Sequence, residues 1–113
     1  MAAGLLNILI ENGATFSRTL TVESSVGVPL NLTGYTFRGK LRRNLSDADA
    51  VADFTLSVSN AAAGQVLWTL TAAQTDAIPA QIHRYDIEMV APGGQTVTRI
   101  LEGEAWVSAS ATR

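Results

Sequence analysis

The sequence predicts an all-β domain: an antiparallel β-sandwich, immunoglobulin-like or jelly-roll-like, of about seven or eight strands with one short helical turn near residues 71–77. Three observations predict it. Apolar and polar side chains alternate over run after run, the period of a half-buried strand. Turn-forming glycines and asparagines break these runs at intervals of about ten residues, the spacing typical of sandwiches. The composition is 47% hydrophobic and 16% charged, with many threonines and aliphatics, which favours strands and excludes a disordered acidic chain.

The 113 residues fit a single domain spanning 1–113. Eight basic against ten acidic residues, for a net charge of −2, leave no global field for nucleic acid. The absence of cysteine excludes disulfides and thiolate metal sites. Residues 1–10 are apolar, but they lack a basic leader and are interrupted by Asn7. They read as a first strand rather than a signal peptide or membrane span, and synthesis in a cytoplasm is expected.

In order, residues 5–10 form a short apolar strand closed by a turn at Glu11, Asn12 and Gly13. Over residues 14–23, Phe16, Leu20 and Val22 share a face that Arg18 interrupts, so a bulge or a sheet edge is expected there. Pro29 cannot donate a ladder hydrogen bond and places residues 28–32 at an edge or outside the sheet. In residues 35–43, Tyr35, Phe37, Gly39 and Leu41 point one way, while Thr36, Arg38, Lys40 and Arg42 point the other. A polar loop follows at 44–50, then a strand with Ala52, Phe54, Leu56 and Val58 on one face, and another in which Val66, Trp68 and Leu70 alternate with Leu67 and Thr69.

Thr71 followed by Gln74 is a capping-box pattern, and Pro79 ends the helical turn it starts. The rest of the chain is organised around residues 82–108, two strands folded on each other across Pro92, Gly93 and Gly94. Tyr85, Ile87 and Met89 share one face, Arg84, Asp86 and Glu88 the other. Tyr85 suits a corner position with its hydroxyl tied to upstream backbone, or a core position with its hydroxyl at the rim. The last strand switches parity, because Val97 and Leu101 are odd while Ile100 and Trp106 are even, and Gly103 is the expected place for a bulge or bend that reconciles the halves. Residues 109–113 read as a short tail rather than a linker to another domain.

No catalytic constellation is legible. The one histidine, His83, sits at a strand mouth and is expected at the rim. The pairs Asp86/Glu88 and Glu102/Glu104 would approach one another in a hairpin; the cross-strand arginines Arg84 and Arg99 make ordinary charge pairing the expectation over a hard cation. Asp47 and Asp49 have the spacing that opens a calcium loop but lack its glycine and closing glutamate, so a solvated loop is expected. The glycines fall at turns, and none begins a phosphate-cradling loop before a helix. No catalytic, cofactor or metal residue is therefore assigned. The strongest charge feature is Arg38, Lys40, Arg42 and Arg43, read as a protein interaction surface or as complement to Asp86 and Glu88 on a neighbouring strand. Nucleic-acid stacking needs aromatics on that same surface, and Tyr35 and Phe37 point away.

The succession Asn12-Gly13-Ala14-Thr15-Phe16, residues 30–38 (Leu-Asn-Leu-Thr-Gly-Tyr-Thr-Phe-Arg), Tyr85-Asp86-Ile87-Glu88 and Arg99-Ile100-Leu101-Glu102-Gly103 resembles small virion proteins of tailed bacteriophages. It is similar, more loosely, to the N-terminal β-sandwich of phage baseplate upper proteins, which attaches receptor-binding parts to a baseplate. The resemblance spans nearly the whole chain and rests on turn and strand motifs. It implies a non-enzymatic structural protein of the virion, an adaptor joining tail, neck or fibre components. It implies other virion proteins as partners, a homo-oligomer or multicopy assembly, and no cofactor, nucleic acid or membrane. The baseplate proteins carry a long C-terminal extension that this sequence does not show, so the resemblance implies a standalone adaptor or decoration module rather than a receptor-binding protein. The other readings are capsid decoration and, from a different class, host-glycan binding. The last needs exposed aromatics, and alternation turns most of Trp68, Trp106, Tyr35 and Tyr85 inward. Residues 5–10 are expected to pair within the domain or to reach a neighbouring chain.

Overall fold

The computed structural model describes residues 4–44 and 46–110; residues 1–3, Leu45 and 111–113, which include most of the expected tail, lie outside the described residues. The elements are β1 (Gly4–Leu5), β2 (Ile8–Glu11), β3 (Phe16–Thr21), β4 (Glu23–Ser25), β5 (Val28–Pro29), β6 (Thr36–Arg42), β7 (Ala52–Asp53), β8 (Thr55–Asn60), β9 (Gln65–Leu70), α1 (Ala72–Asp76), β10 (Ile82–Val90) and β11 (Val97–Ser108). They build an all-β sandwich. The larger sheet runs β7–β6–β10–β11, with β1 and β2 both beside β11; the smaller runs β3–β9–β8; β4 and β5 form a separate hairpin. Pro29 lies in that hairpin, outside both main sheets, where its missing donor costs nothing.

The alternation sets the layers. Leu41, Tyr85, Ile87, Leu101, Ala105 and Val107 of the larger sheet meet Phe16, Trp68 and Leu70 of the smaller in one core. At its centre Trp68, 1% exposed, takes Phe16 and Phe54 edge-on, each at 5.3 Å between ring centroids, with Tyr85 at 5.5 Å. The expected single strand over 52–58 is two: it breaks at Phe54, whose N–H still bonds Gly39 O at 3.0 Å while the chain moves from β7 in one sheet to β8 in the other. Arg18 needs no bulge, since β3 pairs with β9 in unbroken register. β3 is an edge strand, and the guanidinium leaves the core side at 5.7 Å over the Phe16 ring. The helical turn forms as the sequence expects, with the Thr71 hydroxyl accepting from Gln74 N–H at 3.1 Å and the Gln74 side chain accepting from Thr71 N–H at 2.8 Å.

Two further expectations about the strands are corrected. The sheet is not uniformly antiparallel: β1 and β2 run parallel to β11, because the chain after β2 crosses to the smaller sheet instead of turning back beside itself. The bulge is not at Gly103. Register shifts where Ile87 faces Leu101 and Glu88 faces Arg99, leaving Ile100 as the extra residue. Ile100 and Leu101 both lie on the core side, and this changes the outward parity from odd to even. Gly103 serves a close approach instead, since a Cβ there would collide with the Leu6 carbonyl.

That crossing of Leu6 over Gly103 is tied on all sides. Leu6 N–H bonds Glu102 O at 2.9 Å, Glu104 N–H donates to Asn7 Oδ1 at 3.1 Å, and the Tyr85 hydroxyl donates to Leu6 O at 2.6 Å. Tyr85 is thus tied to upstream backbone, but to the segment joining β1 to β2, 79 residues away, rather than at a local corner. Burial pushes the Tyr85 hydroxyl from 10.0 up to about 12, with Arg18 pulling the other way. The unfolded chain ionises first, so stability present below pH 10 is lost as pH rises toward 12. Urea midpoints of the wild type and Tyr85→Phe across this range are expected to converge, because the phenylalanine variant lacks that component.

Beyond β2 the chain is pinned to α1. Asn12, 3% exposed, donates from Nδ2 to Thr75 O at 2.6 Å and Ile78 O at 2.9 Å, while Gly13 N–H donates to Thr75 Oγ1 at 3.1 Å. Replacing Asn12 takes its donor from the Ile78 carbonyl and leaves the Thr75 carbonyl with the bond from Ile78 N–H at 3.2 Å. Asn12→Ala is expected to cost about 2 kcal/mol in urea denaturation, and Asn12→Asp more, because a carboxylate would face two acceptors.

Candidate interaction face

The outer face of the larger sheet collects the residues that alternation turns away from the core. Cross-strand partners share a face, so register reads directly as rows. Arg38 of β6, Glu88 of β10 and Arg99 of β11 make one row; Lys40, Asp86 and Glu102 the next; then Arg42, Arg84 and Glu104. Arg38 Nε meets Glu88 at 2.8 Å, Lys40 meets Asp53 at 2.8 Å, Arg84 meets Glu104 at 3.5 Å, and Arg99 reaches both Asp86 at 3.4 Å and Glu102 at 3.3 Å. Such exposed pairs contribute about 0–1 kcal/mol each, so they set the face's pattern more than its stability.

The basic cluster is dispersed by this pairing. Arg38 and Lys40 have carboxylate partners, and Arg42 Nη1 donates to the carbonyls of Asp47 and Ala48 at 3.1 and 3.0 Å. Arg43 lies past the end of β6, exposed. Of the two acidic pairs, Asp86 and Glu102 stand opposite each other with Arg99 bridging them. Partial burial raises the Asp86 carboxyl above its usual value; Arg99 opposes this, and Glu88 and Glu102 add to it. Asp47 closes a tight turn, its Oδ2 accepting from Asn44 N–H at 3.2 Å. An open cleft of about 330 Å³ lies between Leu5 and these rows, lined by Arg42, Arg84, Asp86, Arg99 and Glu102.

Beyond the charged rows comes an apolar one. Leu9 of β2, Trp106 of β11 and Ile82 of β10 are direct cross-strand neighbours, and they are 52%, 50% and 52% exposed. The indole is held by its Nε1, which donates to Glu104 Oε1 at 3.2 Å. Trp68 and Tyr85 point inward as alternation requires, and Tyr35 is partly buried; Trp106 is the aromatic left outside. Its even parity was the signal, since it shares a side with Glu102 and Glu104.

His83 is not at the rim. It is fully buried, on the same side of β10 as Tyr85, Ile87 and Met89. Its Nε2–H donates to Pro79 O at 2.8 Å, which assigns that tautomer, and Nδ1 has no protein partner. The alternating side chains of β10 overrode the residue's polarity. Among the described residues no group of three or more His, Asp or Glu side chains could hold a metal ion.

No family model matches the chain, and no curated protein matches it. Among solved structures it is similar to the N-terminal domain of phage TP901-1 ORF48, with a TM-score of 0.54 and 11% sequence identity over 93% of this chain and 85% of that one. At that identity the likeness is one of fold.

Proposed function

We infer that this protein is a non-enzymatic structural component of a tailed-phage virion, made in the host cytoplasm, an adaptor that joins tail, neck or fibre parts through protein contacts. The observation that carries the reading is the row Leu9–Trp106–Ile82, three half-exposed apolar side chains abreast on a sheet face. An exposed tryptophan ringed by aliphatics and charged pairs is the usual composition of a protein-contact hot spot and its rim. The fold shared with a phage protein's N-terminal domain supports the setting. Arg38, Lys40, Arg42 and Arg43 would lie in or beside the rim. A glycan reading would also use Trp106, but Leu9 and Ile82 on either side offer no hydrogen bonds to sugar hydroxyls.

The test is location and dependence. Labelled protein on purified particles is expected at the tail end; labelling over the head lattice would favour capsid decoration. Trp106→Ala should fold within about 1 kcal/mol of wild type because the side chain is half exposed, yet be depleted from particles. Full incorporation of that variant would overturn the assignment of the face. A specific glycan-array hit abolished by the same change would replace the adaptor reading with the glycan one.

A further inference from the structure

The outer face carries interleaved charges of both signs, so it offers no single-sign field to a strongly acidic or basic partner. What it does offer is its own complement. On β10 Ile82 and Arg84 follow each other outward; beside them on β11 stand Trp106 and Glu104. A two-fold axis lying in the face, along the strands and midway between β10 and β11, lays β10 of one copy over β11 of the other. Arg84 of each copy then faces Glu104 of the other, twice, and each Trp106 covers an Ile82. We propose that the occupant of this face is a second copy of the chain, packed face to face on Trp106 and Ile82 in an isologous contact; this rests on the face being a protein-contact surface.

The geometry suits such a contact. Aligned sheets stack about 10 Å apart at crossing angles of about 30°. Centred on the Trp106 row, that crossing carries the Asp86–Glu102 rows of the two copies apart, so their carboxylates do not confront each other. The Arg84–Glu104 pair within one copy is 3.5 Å long with Arg84 exposed and Glu104 partly buried, and swinging the arginine across the contact costs little. The bond from Trp106 Nε1 to Glu104 already orders the indole, which lowers the entropy lost on association.

The size sets the strength. Three half-exposed apolar side chains present roughly 300 Å². With the flanking row each copy would bury about 600 Å², or roughly 1,200 Å² in all, the low end of specific interfaces. A reversible dimer of micromolar order follows, the kind of contact that becomes effective when many copies are arrayed on a symmetric particle.

Sedimentation velocity of the full chain in about 50 mM salt, at concentrations from about 5 to 500 μM, tests this. The wild type is expected to show a monomer–dimer equilibrium. Trp106→Ala should weaken it at least ~30-fold. Arg84→Glu and Glu104→Arg should each weaken it about tenfold by setting like charges opposite each other twice. An equimolar mixture of these two charge variants should dimerise again, because each supplies the sign the other then lacks, a restoration that damage to the fold would not produce. A wild type that stays monomeric throughout, or a mixture no tighter than either variant alone, overturns the proposal. If the wild type is monomeric while Trp106→Ala is still lost from particles, the second copy is ruled out and the docking face stands with a different protein on it.

Discussion

Trp68→Ala is expected to lower the thermal midpoint by roughly 15–25 °C, the consequence of losing about 3–5 kcal/mol from a domain of this size. Trp68 is the ring on which the two sheets close: it belongs to β9 of the smaller sheet and touches Tyr85 of the larger, with Phe16 and Phe54 set against its edges. Removal leaves a cavity walled by three other rings, which cannot collapse without moving strands. Trp68→Phe should cost under ~2 kcal/mol, because Nε1 of Trp68 has no protein partner to lose and most of the ring contact survives. Circular dichroism melts of the three proteins check both numbers. Equal losses for the alanine and phenylalanine variants would mean that the indole's polar edge, not its packing, holds the core.

Gly103→Ala is expected to cost about 3 kcal/mol or more, and to act on one edge of the molecule. The added methyl would strike the backbone of Leu6, which no side-chain rotation can relieve. Relief requires β1 and β2 to lift from β11, giving up the bonds from Leu6 N–H to Glu102 and from Tyr85 to Leu6. Hydrogen exchange should then show Leu6, Ile8 and Ile10 unprotected while β6, β10 and β9 stay protected. Gly4→Ala is the control: its Cβ would meet Leu101 Cδ1 at 3.5 Å, an ordinary contact, and it should leave exchange unchanged. Undiminished protection at Ile8 and Ile10 in Gly103→Ala would contradict this tight crossing of β1–β2 over Gly103.

Those two sites divide what the sequence made legible from what it did not. Alternation was enough to place Trp68, Tyr85 and Ile87 inward and Arg38, Lys40 and Arg42 outward, because a strand's side chains have no third direction. The capping box at Thr71 was legible for a similar reason, as a local hydrogen-bond pattern between residues three apart. Gly103 was not, because its constraint comes from Leu6, in the link between two strands near the N-terminus that run parallel to β11 where the turn pattern suggested antiparallel pairing. The bulge was expected at a glycine and formed at Ile100, where the core accepts two successive apolar side chains. For His83 and Trp106 the residue's chemistry argued against its parity, and parity won at both. The outer face followed from that: the arginine–carboxylate rows were half visible as charge pairs, but the apolar row beside them needed three strands in register. Asn12 looked like a turn residue; its role as the donor that joins β2 to α1 depends on packing that no local pattern encodes.

The most direct measurement is a reconstruction of the intact particle with this chain traced in it. The expected result is that Trp106, Leu9 and Ile82 are buried in a protein contact, with the charged rows at its rim. A chain whose larger sheet faces open solvent while its contacts run through other surfaces would contradict the central claim.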